Sequence, residues 1–210
     1  MASKSQLAVF LSHLEKFDAP KLMEEQYSTD SESAATALWH AFMKGDIQDK
    51  IVADFGCGTG ILGIGCLVLG AKKVYFIDKD PEAIKITEKN LEQLDDETQG
   101  KSQIVLQDIK ETSIKADIVV ENPPFGTKTG HADREFLMKA FSSAPIIYSF
   151  HKANTQGFVE EITKDNRFEI KEVMNFKLIL GKTQTFHTKA VHRIDVNCYR
   201  LEKREDRNKV

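Results

Sequence analysis

The sequence predicts an α/β fold: a mostly parallel seven-stranded sheet with helices on both faces and an antiparallel hairpin at its C-terminal end. Three observations predict it. From residue 51 onward, short β-branched or aromatic runs alternate with amphipathic stretches, the pattern of strands joined by crossover helices. The last two apolar runs are long and follow each other without a helical repeat, so they are expected to pair antiparallel. A glycine-rich turn follows the first strand, where open α/β sheets receive ligands.

Strands are expected at 51–54, 74–78, 104–107, 118–121, 146–150, 168–180 and 191–201, with helices between the first five. The helix from Pro81 to about residue 94 has the best-marked start: Asp80 can cap it, Pro81 suits its first turn, and Glu82 lies at the positive helix end. The hairpin loop is expected at 181–189. Upstream of the sheet, Leu7, Phe10, Leu11 and Leu14 recur at helical spacing, and a second helical stretch covers about 33 to 42. A polar, turn-like Glu25-Gln26-Tyr27-Ser28-Thr29 separates them. One domain is therefore expected over 1–210: a helical extension (1–45), a core (46–201) and a charged tail (202–210).

With 29 basic and 32 acidic residues and a net charge of −3, the chain as a whole does not attract polyanions, so nucleic-acid binding must be local. Three cysteines, Cys57, Cys66 and Cys198, form no CxxC pair, which argues against a disulfide framework or a metal site and for a reducing compartment. The apolar run near 61–71 is interrupted by glycines and is shorter than the roughly 18 residues of a membrane span. No basic-then-apolar leader pattern opens the sequence. A soluble protein of the cytoplasm, or of the nucleus in a eukaryote, is expected.

Val52-Ala53-Asp54-Phe55-Gly56-Cys57-Gly58-Thr59-Gly60 is a strand that ends in an acid and runs into three alternate glycines before Ile61. Glycines permit positive φ and let a ligand approach the backbone. The spacing is GxGxG, and Asp54 lies two residues before the first glycine, where a carboxylate would repel a dinucleotide pyrophosphate. It suits a ligand carrying an ammonium and a sulfonium, which is S-adenosylmethionine. Gly56, Gly58, Thr59, Gly60 and Ile61 form the expected turn. Asp78 ends the next strand, placed to accept both ribose hydroxyls. Asp108 ends the third, where it can accept from the adenine amino group or simply cap a turn, and Ile109 can pack on that ring.

After the fourth strand comes Glu121-Asn122-Pro123-Pro124-Phe125-Gly126. An amino group on an aromatic ring is a weak nucleophile because its lone pair is delocalised. The Asn122 amide oxygen and the Pro123 carbonyl can each accept one N–H, drawing the nitrogen toward tetrahedral geometry and stabilising its developing charge. Pro123 and Pro124 stiffen the loop, and Phe125 offers a stacking face. The three polar and proline residues could also form an ordinary turn.

These residues resemble the class I amino-methyltransferases with an Asn-Pro-Pro-Phe motif. More narrowly, the chain is similar to the family of methyltransferase-like protein five and its archaeal relatives, which methylate adenine N6 in small-subunit ribosomal RNA. The resemblance includes Pro20-Lys21-Leu22, Glu25-Gln26-Tyr27, Ala53 to Gly58, Asn122 to Lys128, Tyr148-Ser149-Phe150-His151-Lys152 and Phe186-His187-Thr188-Lys189. It implies a class I, Rossmann-like fold, and that Gln26, Tyr27 and Thr29 fold over the cofactor. Ser28 departs from the proline common in that family. It also implies a small zinc-binding activator protein docking on a sheet edge.

Lys128, His131, Arg134, His151, Lys152, Lys182, His187, Lys189, His192 and Arg193 fall in segments that could form a basic rim for RNA phosphates, although loop lysines are usually just solvated. Phe186 could stack a base or belong to the core. Two other substrates share the chemistry: a protein glutamine amide at N5, and adenine N6 in DNA. A glutamine-modifying enzyme typically has tyrosine after the two prolines and a peptide-reading domain. A cofactor-binding subunit without activity is disfavoured by the intact Asn122.

Overall fold

The computed structural model describes residues 3–17, 29–124, 132–180 and 192–205. Its sheet has seven strands: β1 (Ile51–Phe55), β2 (Lys73–Asp78), β3 (Ser102–Leu106), β4 (Ile118–Glu121), β5 (Ile146–Lys152), β6 (Phe168–Leu180) and β7 (His192–Lys203). They lie in the order β3-β2-β1-β4-β5-β7-β6. The first five pair in parallel, whereas β7 runs antiparallel between β5 and β6. The expected terminal hairpin is therefore present at the sheet's end.

The helices are α1 (Lys4–Ser12), α2 (Ser31–Met43), α3 (Ile61–Val68), α4 (Pro81–Leu91), α5 (Asp96–Gln99), α6 (Ala132–Ser143) and α7 (Gln156–Asp165). Asp80 caps α4 through the Glu82 N–H, with Pro81 in the first turn, as expected. That helix ends at Leu91, short of 94, and Asp95 starts the one-turn α5. One expectation needs correction: no α-helix joins β3 to β4. That connection carries a single 3-10 turn at Ile109–Glu111, because the Asp108 carboxylate holds the Lys110 N–H and tightens the chain just past the strand.

Strand alternation sorts the core into two layers. Val52, Val74, Phe76, Ile118, Val120, Tyr148 and Phe150 meet α1 to α4 on one face. Ala53, Phe55, Ile77, Val119, Ile147 and Tyr199 meet α6 and α7 on the other. Leu7 and Leu11 are buried on α1 as the helical spacing requires, and Leu14 is buried just past the helix end, while Phe10 is only partly covered. Among the described residues no helix is long and apolar enough to cross a membrane.

The order places β1 and β4 side by side although the chain visits β2 and β3 between them. Connections leave these two strands in opposite directions, opening a crevice at their C-terminal ends, the usual ligand position in such sheets. Asp54 and Asn122 flank that crevice, since Phe55 pairs with Glu121 across the ladder.

A buried ion pair secures the helical extension beneath. Asp46, in the α2–β1 connection, accepts from Arg200 Nε (2.8 Å), Arg200 Nη2 (3.2 Å) and the Tyr148 hydroxyl (2.8 Å). Arg200 also donates to Glu202 at 2.6 Å. Removing one partner of a buried pair leaves the other charge desolvated. Asp46→Ala is therefore expected to lower unfolding free energy by about 3 kcal/mol in urea titrations, and Asp46→Asn to lose less; an unchanged midpoint for the alanine variant would remove this strut from the fold's support.

Candidate active site

The glycine turn forms because the chain must reverse from β1 into α3 within a few residues. Gly56, Gly58 and Gly60 have φ of 64°, 56° and 81°, a region that side chains disfavour. Two carboxylates shape the turn from below. Asp54 accepts from the Gly63 N–H at 2.8 Å, in the first turn of α3. Asp78 accepts from the Gly58 N–H at 2.9 Å and from the Asp80 N–H at 2.9 Å. Each oxygen keeps a further lone pair, so the same carboxylate can still accept from a diol.

Close packing excludes side chains elsewhere around the turn. A Cβ on Gly63 would lie 2.3 Å from the Phe76 ring, and one on Gly56 would lie 2.8 Å from the Phe136 ring. At Gly58 a Cβ would meet the Phe17 ring in ordinary van der Waals contact at 3.8 Å, so there it is the positive φ, not a clash, that favours glycine. The donor set and the glycine cradle fit S-adenosylmethionine: carboxylates for its cationic centres and ribose, bare backbone where the ligand must lie close.

Burial sets the electrostatics. It pushes the Asp54 carboxyl up to about 7, helped by nearby Asp78 and opposed by the Gly63 N–H. Burial also raises Asp78, opposed by the amides it accepts from. The Cys57 thiol is buried and raised well above its ordinary range, so it is no thiolate nucleophile. Thr59 and Ile61 are buried beside the turn.

The sequence reading missed Asn90 of α4. It is fully buried; its Oδ1 accepts from the Glu15 N–H (2.7 Å), and its Nδ2 donates to the Glu15 carbonyl (3.1 Å) and the Thr59 carbonyl (2.9 Å). One side chain thus ties the N-terminal extension to the glycine turn. The signal was available: Asn90 shares the buried face of α4 with Ala83, Thr87 and Leu91, and a polar residue there must find partners.

At the end of β4, Pro123 is buried, and Asn122 and Pro124 are half-buried. Asn122 Nδ2 donates to the Thr29 hydroxyl at 3.0 Å, so Thr29 meets the catalytic candidate directly. Asp108 does what the turn reading allowed, holding the Lys110 N–H at 3.0 Å, and Ile109 is buried in the core layer behind it. Gln26, Tyr27, Phe125, Lys128, His131, Lys182, Phe186, His187 and Lys189 lie outside the described residues. His192 and Arg193 are described as backbone only, on β7. Arg134 is exposed at the start of α6, and Lys152 is half-buried at the end of β5.

His151 requires a correction. It was expected in an RNA-facing rim, but it is 1% exposed and cannot reach a phosphate. It belongs to a buried chain in which Ser149 Oγ–H donates to Glu121 Oε1 at 2.7 Å and His151 Nε2 lies 2.7 Å from Ser149 Oγ. Burial lowers the imidazole to about 3, keeping it neutral, and raises the Glu121 carboxyl to about 8.

The family model of ribosomal protein L11 methyltransferase (PrmA) matches residues 35–123, the helix–turn–strand region around the crevice. Over nearly its full length the chain resembles the rRNA N(6)-adenosine-methyltransferase METTL5 of Danio rerio, at 33% identity covering 91% of this chain and 94% of the relative. The Drosophila melanogaster counterpart is 30% identical, covering 93% and 94%. Among solved structures, PH1948 of Pyrococcus horikoshii, a candidate RNA methyltransferase, superposes with a TM-score of 0.87 at 38% identity, covering 97% of this chain and 99% of that one.

The raised carboxyls have a measurable consequence. Between about pH 4 and about pH 8 the folded state holds protons on Asp54 and Glu121 that the unfolded chain releases, so stability falls as pH rises through this window. Thermal unfolding should show that decline in the wild type, and Glu121→Gln, which cannot ionise, should decline less. Parallel pH profiles for the two proteins would mean that Glu121 titrates normally.

Proposed function

This chain belongs to the rRNA N6-adenosine-methyltransferase (METTL5) family, and from that premise we propose that it methylates an adenine N6 in small-subunit ribosomal RNA with Asn122 at the reacting centre. As a member of that family it is an S-adenosylmethionine-dependent methyltransferase acting on RNA adenosine. The single observation that carries the residue-level reading is Asn122 itself, held at the mouth of the β1/β4 crevice by its bond to Thr29.

S-adenosylmethionine supplies the electrophilic methyl. The chain's part is to hold and activate the amine. In this proposal the Asn122 amide oxygen and the Pro123 carbonyl accept the two N–H groups of the amine, and their fixed dipoles stabilise positive charge as it develops on nitrogen. Pro124 limits loop motion, and Phe125 stacks the base. Asp78 holds the ribose, Asp54 faces the cationic end through the glycine turn, and Asp108 and Ile109 flank the adenine. Gln26 and Tyr27 complete the cofactor site as the family resemblance implies.

An adenine inside a helix cannot enter such a crevice, so the target is unpaired or flipped out of its stack. Lys128, Lys152, Lys182, Phe186, His187, Lys189 and Arg193 form the proposed RNA rim, without His151. A small zinc-binding activator protein is proposed on a sheet edge. The exposure of Leu106 on the edge strand β3 supports this reading. A cytoplasmic or nuclear setting, where ribosomal RNA is present, goes with the proposal.

The L11 methyltransferase match raises protein as a second substrate class. It stops at Pro123, so it takes in the glycine turn and Asn122 but none of the chain that follows, where the proposed RNA rim lies. Labelled S-adenosylmethionine offered with total RNA and total protein should label RNA, with N6-methyladenosine recovered from small-subunit rRNA by nucleoside mass spectrometry; label in protein alone would overturn the proposal. Asn122→Ala should slow transfer by at least about 100-fold while cofactor binding, read by calorimetry, persists. Asp78→Ala should instead weaken cofactor binding by about 10- to 100-fold.

A further inference from the structure

The glycine turn is pinned through its carbonyls as well as through its amides. From α4, the Thr87 hydroxyl donates to the Gly58 carbonyl at 2.9 Å, and Asn90 Nδ2 donates to the Thr59 carbonyl at 2.9 Å. Both side chains are 0% exposed and stand three residues apart, on one face of the helix. Neither bond can run the other way, because a carbonyl only accepts. The Asn90 amide is held in one orientation by its other partners: Oδ1 accepts from the Glu15 N–H at 2.7 Å and from Gln93 Nε2 at 3.3 Å. Thr87 also packs against Gly60, where an added Cβ would lie 3.0 Å from its methyl group.

We infer that Thr87 and Asn90 are positioning residues for the cofactor: from α4 they fix the peptide planes on either side of Thr59, and so hold the glycine turn in the shape that receives S-adenosylmethionine. This rests on the reading of the glycine turn as the cofactor's seat. Gly58 and Gly60 flank Thr59 at φ of 56° and 81°. Glycine reaches these values readily but is not confined to them, so a turn built on alternate glycines needs its shape imposed from outside. Asp78 and Asp54 take the Gly58 and Gly63 N–H groups. The turn's own bond, from the Gly60 N–H to the Cys57 carbonyl at 2.8 Å, closes it without engaging the carbonyls of Gly58 and Thr59. Those two fall to α4. Fixing each C=O also fixes the N–H across the same planar trans peptide. A ligand that meets a turn already in shape loses less conformational freedom on binding than one that must order it. The pair therefore acts on cofactor affinity and not on the methyl-transfer step.

The test is calorimetric binding of S-adenosylmethionine and steady-state methylation of RNA, by the full chain carrying Thr87→Val, Thr87→Ser or Asn90→Ala, with Asp78→Ala as reference. Thr87→Val keeps the outline of the side chain and removes the donor. It should raise Kd and KM for S-adenosylmethionine by about tenfold, with kcat at saturating cofactor within about twofold of wild type. Thr87→Ser keeps the hydroxyl and should bind within about twofold of wild type. Asn90→Ala, which also releases Glu15, should weaken binding at least as much as Thr87→Val; should it fail to fold, the Thr87 variants decide. A lower kcat at unchanged KM in Thr87→Val would overturn the inference. So would equal weakening in the valine and serine variants, or a lower Tm with unchanged Kd, either of which reduces Thr87 to packing. Normal binding by Thr87→Val beside weakened binding by Asp78→Ala refutes this inference alone, whereas normal binding by Asp78→Ala refutes the reading of the turn beneath it.

Discussion

Asp54, one residue before the end of β1, places a carboxylate oxygen on the Gly63 N–H, and that bond holds α3 against the sheet beside the glycine turn. The approach is so close that Gly63 has no room for a Cβ beside Phe76. Helix, glycine turn and strand are therefore closely packed together, and Asp78 fastens the turn from the neighbouring strand through the Gly58 N–H. The energetic consequence is visible in the raised carboxyl of Asp54, buried with only partial compensation. S-adenosylmethionine carries two positive centres, and a cation arriving beside these carboxylates favours their ionised forms. A cationic ligand such as S-adenosylmethionine therefore offsets part of the cost of burying these acid groups.

The second half of the crevice is organised from outside the sheet. Asn122 follows β4, and its amide nitrogen donates to Thr29 of the N-terminal extension. The same extension is tied to the glycine turn through Glu15 and Asn90. Residues that precede the sheet in sequence therefore touch both the glycine turn and the end of β4. Behind Asn122, the Glu121–Ser149–His151 chain fills the space under the loop with polar groups paired to one another, keeping the ends of β4 and β5 in register.

Much of this was legible in the sequence, for definite reasons. Periodicity gives strands and helices, and glycine and proline punctuation marks where chain direction changes. That is why the glycine turn, the Asp80-capped helix and the terminal hairpin lie where they were expected. Sequence reading failed where a residue's role depends on a partner far away in the chain. His151 alternates with Phe150 and Tyr148 on β5, so it reads as a polar residue facing outward. In the fold both faces of β5 are covered, and its imidazole is buried against Ser149. Asn90 reads as one more polar residue of α4 until Glu15 and Thr59 are brought to it. The alternation of apolar runs with amphipathic stretches predicts a helix in the β3–β4 connection too, but the Asp108 turn leaves only a 3-10 segment there.

If the β1/β4 crevice is where methyl transfer occurs, a crystal structure of the protein with S-adenosylhomocysteine should be decisive. The expected result places the ribose hydroxyls on Asp78, the amino-acid portion along the glycine turn, and the sulfur facing Asn122 across the crevice. A product bound at another edge of the sheet, or with its sulfur turned away from Asn122, would contradict the assignment of both halves of the site.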